Sequence, residues 1–264
     1  MQKLNKRDLV LNSIIQAYLS DNTPIGSSEL GSRMNVAMPA STIRVYFKKL
    51  SDEGEITQLH ISGGRIPTIN AMRRYWSDIF YGKDISVDIN NPLNLKLLCD
   101  KFELYCMIFG DFDQNLEEIL NLNDRFLVLS FEQDEIVLKY DTRVEKFLQN
   151  LLGVSLNKLE VVCSQVGLSE LRSKIRELKR AKIYFQENEV LAFQMFDDER
   201  YKMIFEPSFA ALMNDGLTFA PVFKDEFMGL KLDINFQGDS AVMICAGSVY
   251  IDYVKFINKI KEAA

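Results

Sequence analysis

Ser41, Arg44, Val45 and Lys48 recur at a spacing that gathers them on one side of a helix, with Thr42 and Lys49 flanking them. Hydroxyls, an arginine and lysines presented together suit a polyanion. Arginine can grip guanine through two parallel hydrogen bonds, and hydroxyls can reach base edges or phosphates. A merely solvated helix face would show the same spacing, so the neighbouring segments must decide. Further on, His60-Ile61-Ser62-Gly63-Gly64-Arg65 combines small residues with a cation. A tip of that composition can approach phosphates or the minor groove closely. Ser27 and Ser28 upstream and Arg73 downstream complete the candidate contacts with double-stranded DNA.

The same inventory argues against catalysis. His60 is the single histidine, and neither H-E-x-x-H nor C-x-x-C metal spacing nor a G-x-x-x-x-G-K-[ST] loop is present. A Ser-His-Asp triad would have to draw its imidazole from the glycine-rich segment. His60 is read as a packing residue or a phosphate contact, and no catalytic residue, metal or cofactor is expected. Cys99, Cys106, Cys163 and Cys245 lie among apolar neighbours and read as buried, reduced thiols.

Composition is that of a soluble globular chain, 47% hydrophobic and 26% charged. With no membrane-length apolar run and no signal-peptide core in Met1–Asp8, a cytoplasmic protein is expected. The net charge of −6 divides unevenly: residues 1–81 hold ten Lys/Arg against seven Asp/Glu (+3), and the remainder 21 against 30 (−9). A basic module on an acidic body fits a DNA contact confined to one end.

The candidate contacts need elements to position them. Asn5 can cap a first helix with Leu11, Ile14, Ile15, Tyr18 and Leu19 on its buried face, ending near Asp21-Asn22. Thr23-Pro24-Ile25-Gly26 is turn chemistry, after which Ser27 or Ser28 can cap a short helix. Pro39 suits the opening turn of a third helix with Ile43, Phe47 and Leu50 inward, closed by Gly54. Two short strands, 55–60 and 65–68, then flank glycines that permit positive φ, which makes a wing. Thr68 or Asn70 can cap a trailing helix over 71–80. Together these read as a winged helix-turn-helix.

Beyond Asn90-Asn91-Pro92 the chain mixes helical and extended periods. Residues 93–102, 113–122, 144–152 and 169–181 read as helices. Paired strands are expected over 125–131 and 135–140, a hairpin over 228–246 turning at Gln237-Gly238-Asp239, and a closing helix over 250–261. Phe185, Phe193, Phe196, Phe205 and Phe209 read as core or dimer interface.

Four stretches, Pro24-Ile25-Gly26-Ser27, Ser41-Thr42-Ile43-Arg44, the Leu50…Gly54 helix exit and above all His60-Ile61-Ser62-Gly63-Gly64-Arg65-Ile66-Pro67-Thr68, resemble the heat-inducible transcription repressor HrcA family. The last run looks like that family's wing. The resemblance implies an α+β chain with three parts: an N-terminal winged helix-turn-helix domain over 1–82, a GAF-like domain over 83–264, and a small dimerisation domain inserted into it at about 155–210. It also implies a homodimeric repressor of chaperone operons that binds an inverted repeat, the CIRCE operator, and responds to the chaperonin GroEL. This chain departs from the family at Val45-Tyr46, where members carry Asn and an acidic residue. An Asn at that position could make a bidentate adenine contact that Val45 cannot. A metabolite-responsive winged-helix regulator and a bifunctional enzyme with such a head stay open as alternatives.

Overall fold

Asn5 opens the first helix as its position suggests, accepting a hydrogen bond from the Arg7 N–H at 3.1 Å. The computed structural model describes residues 5–59, 63–83, 85–110, 113–179 and 182–263. Helix α1 (Lys6–Asp21) ends where Asn22 turns left-handed. Helix α2 (Ser27–Arg33) follows Gly26 without a side-chain cap. Neither Ser27 nor Ser28 therefore caps it; both already lie in its first turn. Pro39 sits in extended backbone immediately before α3 (Ala40–Asp52), and Gly54, at φ +72°, carries the chain out of it. Ile43, Phe47 and Leu50 pack with Val10, Ile14, Ile25, Leu30 and Ile56 in one core. Each such side chain contributes roughly 1.5–3 kcal/mol of burial free energy.

Strands β1 (Ile56–Thr57) and β2 (Ile66–Pro67) pair antiparallel with Ile56 opposite Pro67, a shorter ladder than the sequence suggests. Thr68, not Asn70, caps α4 (Ile69–Phe80) by accepting from the Ala71 N–H. The buried face of α4 carries Met72, Trp76 and Phe80. The Trp76 indole donates to the Val249 carbonyl at 2.6 Å, and the Tyr250 hydroxyl donates to the Pro67 carbonyl at 3.0 Å. These bonds fasten α4 and β2 to the segment between the last strand and the last helix.

The chain then forms β3 (Asp88–Ile89), α5 (Pro92–Phe102, capped by Asn91) and β4 (Tyr105–Gly110). Next come β5 (Leu116–Leu122), β6 (Phe126–Phe131), β7 (Glu135–Lys139), α6 (Thr142–Gln149), α7 (Leu156–Val166) and α8 (Ser169–Leu178). After β8 (Lys182–Glu187), short 3₁₀ turns and α9 (Ala192–Met195) lead to β9 (Gly216–Thr218). The hairpin of β10 (Phe227–Phe236) and β11 (Asp239–Ser248) turns through Gln237 and Gly238 at positive φ, and α10 (Tyr253–Glu262) closes the chain. One sheet runs β3-β10-β11-β4-β8, with β9 also on β10.

Two compact units result: Met1–Ile108 with Phe185–Ala264, and Phe109–Tyr184. The second unit interrupts the first in sequence and is built around its own three-stranded sheet, β5-β6-β7. Residues 113–122 are expected to be helical, yet β5 is a strand; a register shift between Leu116 and Glu118 breaks the alternation that would have marked it. One face of this sheet, with Leu127, Leu129, Phe131, Ile136 and Leu138, packs on Leu148, Leu156, Leu159, Leu171 and Ile175 of α6–α8. On the opposite face Leu120 pairs with Val128, Val128 with Val137 and Leu122 with Phe126. Leu120, Leu122, Phe126 and Val137 are exposed there.

Among the described residues the four cysteines are free and buried, and burial pushes the Cys163 thiol up to about 11. Phe196 and Phe209 are core, while Phe193 is exposed.

Candidate nucleic-acid interface

Because Ile43, Phe47 and Leu50 take the inward side of α3, Ser41, Arg44, Val45, Lys48 and Lys49 are left outward and exposed, with Thr42 half-buried at the margin. The two departures from the family pattern separate here. Val45 is 68% exposed on the outward face, whereas Tyr46 packs against the module's core. At the start of α2, Ser27 is half-buried and Ser28 exposed. The Arg44 Nε–H donates to the Ser27 hydroxyl oxygen at 3.1 Å.

The cations of the module sort by their partners. Arg7 reaches Asp8 at 2.8 Å, Glu53 at 2.6 Å and Glu55 at 2.8 Å. Burial opposes its charge, but hydrogen bonds to the three carboxylates outweigh that and raise its pKa. Arg74 pairs with the other oxygen of Glu55, a buried carboxylate satisfied from both sides. Arg33 pairs with Asp21, which it holds below the usual carboxylate range, and with Glu29 at 2.5 Å. Lys49 lies 3.9 Å from Glu53. Arg44, Lys48 and Arg65 have no carboxylate partner among the described residues. A cation already neutralised offers little to a phosphate, so the free positive charge comes from exposed Lys6, Arg44 and Lys48, with Arg65 half-buried beside them.

Arg73, the downstream candidate, has partners within the protein. Its guanidinium pairs with Asp225 at 3.2 Å and lies 5.2 Å from the centre of the Phe219 ring, which commits it to holding α4. Glu55 and Asp225 have no local signal in the sequence, since each meets its partner only after the chain has folded.

The two motif stretches 24–27 and 60–68 meet in space. Ile25 and Arg65 exchange backbone hydrogen bonds of 3.0 and 2.9 Å, making an antiparallel bridge. Gly64 serves that contact: a β-carbon there would fall 2.6 Å from backbone atoms of Pro24 and Ile25. The requirement is space, not the positive φ expected of the hairpin glycines, since Gly64 is outside the positive-φ region. Gly63 is exposed, and the Gln58 side-chain amide donates to its carbonyl at 3.1 Å. His60 and Ser62 lie outside the described residues. Among the described residues no group of three metal-ligating side chains forms, and no helix is long and apolar enough to cross a membrane.

These elements define an α+β protein, and a solved structure titled only as a hypothetical protein shares the fold, with a TM-score of 0.52 and 19% identity over 99% of this chain and 97% of that one. The HrcA C-terminal domain matches residues 76–264. The chain belongs to the HrcA family. Two similar proteins, each called heat-inducible transcription repressor HrcA, come from Helicobacter pylori strains J99 and 26695; both are 26% identical over 98% of this chain and 96% of their own length. A third, from Corynebacterium diphtheriae, is 39% identical over 82 residues, 31% of this chain and 24% of that protein.

Proposed function

We propose that the chain is a heat-inducible transcription repressor that binds operator DNA through its N-terminal module, a winged helix-turn-helix. The observation that carries this reading is the sorting of charges: Arg44 and Lys48 stand exposed on the outward face of α3 without a carboxylate, while Arg7, Arg33, Arg73 and Arg74 are paired. Helix α3 enters the major groove, with Ser41, Thr42, Arg44 and Val45 at base edges and Lys48 and Lys49 toward phosphates. Exposed Val45 offers a methyl-sized apolar surface to a thymine methyl group. Ser28 meets the backbone from α2, and His60, Ser62, Gly63, Gly64 and Arg65 approach it from the wing.

The repressor acts as a cytoplasmic homodimer on a CIRCE-type inverted repeat, two α3 helices entering successive major grooves. The exposed apolar sheet face of the inserted unit supports pairing of two copies, because such a face is costly to leave in water. The body is GAF-like, and GroEL availability sets how much binding-competent repressor is present. The mechanism is steric occupation of promoter DNA, with no enzymatic step. Footprinting on chaperone-operon promoters of the source organism, with and without chaperonin, tests it. A protected inverted repeat that strengthens with chaperonin is expected; absence of protection in both conditions contradicts the reading.

A further inference from the structure

Arg44 carries five N–H donors in a planar fork. One of them, the Nε–H, is already engaged by the Ser27 hydroxyl oxygen at 3.1 Å. That leaves the four hydrogens on the two terminal nitrogens. Ser27 is itself held firmly: it begins α2 two residues after Ile25, which is buried and bridged to Arg65 through two backbone hydrogen bonds. The hydroxyl therefore offers a fixed point to a long side chain that would otherwise sample many rotamers.

We infer that Ser27 is a positioning residue for base reading, holding Arg44 so that its terminal nitrogens, and not its Nε edge, meet guanine end-on. The inference rests on the DNA-binding reading above and assigns to a serine of α2 a role in what α3 reads. It makes Ser27 and Arg44 one unit, in which loss of the serine acts only through the arginine. A phosphate contact from Ser27 alone would instead weaken binding to every sequence by a similar factor.

The test uses the full chain and duplexes that the wild-type protein selects from a pool of randomised inverted repeats. Affinities for a selected and a random duplex are measured by fluorescence anisotropy at fixed salt, with circular dichroism confirming that each variant is folded. The selected duplexes should share a guanine at one fixed place in each half-site. Ser27→Ala should weaken binding to the selected duplex by about tenfold, the scale of one hydrogen bond to a charged group, and leave the random duplex unchanged. Ser27→Thr should restore selectivity. In an Arg44→Ala background, Ser27→Ala should change nothing further. Equal losses on both duplexes, failure of threonine to rescue, or a Ser27→Ala effect that persists without Arg44 overturns the inference. A wild-type protein that selects no sequence from the pool overturns the DNA-reading proposal itself, which is a different result from selection that is indifferent to Ser27.

Discussion

Gly64 has no room for a side chain, because any β-carbon would press on the backbone of Pro24 and Ile25 at 2.6 Å. Gly64→Ala should therefore destabilise the hairpin by roughly 1–3 kcal/mol, the usual range for overpacking. A lowered Tm together with faster amide exchange at Ile25 and Arg65, whose N–H groups form the bridge, would confirm it; unchanged exchange would not. Arg44 and Arg65 should separate functionally. Arg44→Ala should cost roughly 1–3 kcal/mol on operator DNA and little on random DNA, whereas Arg65→Ala should weaken both and flatten the salt dependence. Titrations of each variant against both duplexes at several salt concentrations decide this, and equal losses for Arg44→Ala would remove its base-reading role. At this scale the sequence shows which residues could bear on DNA, because spacing along a helix is local. It does not show that Arg73 belongs to Asp225, since that pair joins positions far apart in the chain.

Helices announced themselves in the sequence where one face is apolar and the ends carry caps. Asn5, Thr68 and Asn91 all cap the helices they precede. Strand β5 did not, because its bulge spoils the two-residue period and its exposed leucines imitate a helical stripe. In the inserted unit, α7 and α8 are tied by Glu160, which meets Arg176 and Lys179 at 2.8 Å each. Lys179 and then Arg176 hold its carboxyl down to about 2, against an ordinary value of 4.5. A carboxyl whose folded pKa is depressed adds stability above its unfolded pKa and loses it as pH falls through the folded one. The stability gap between wild type and Glu160→Gln should accordingly be full above about pH 4.5 and close as the pH drops toward 2. Thermal unfolding followed across that window checks the sign; a gap that widens on acidification contradicts it.

For the molecule as a whole, the sequence places its net positive charge at one end and its net negative charge in the rest, and the fold leaves Arg44 and Lys48 exposed and unpaired on one helix. The extent of the inserted unit was not legible, because a compact unit is defined by which strands pair and not by any change in composition along 109–184. If its exposed sheet face joins two copies, Phe126→Glu, placing a charge opposite Leu122, should convert the dimer to a monomer by light scattering without unfolding the chain. The half-site affinity of each N-terminal module should survive, while tight binding to the full repeat should fall. Everything above turns on whether the outward face of α3 and the hairpin beside it read DNA. The most direct measurement is anisotropy titration of the full-length protein with a chaperone-operon promoter duplex and a scrambled duplex, from low to physiological salt. Binding to the promoter duplex should be roughly 10³-fold or more tighter at physiological salt, with both affinities falling as salt rises. Equal affinity for the two duplexes, or none for either, would contradict it.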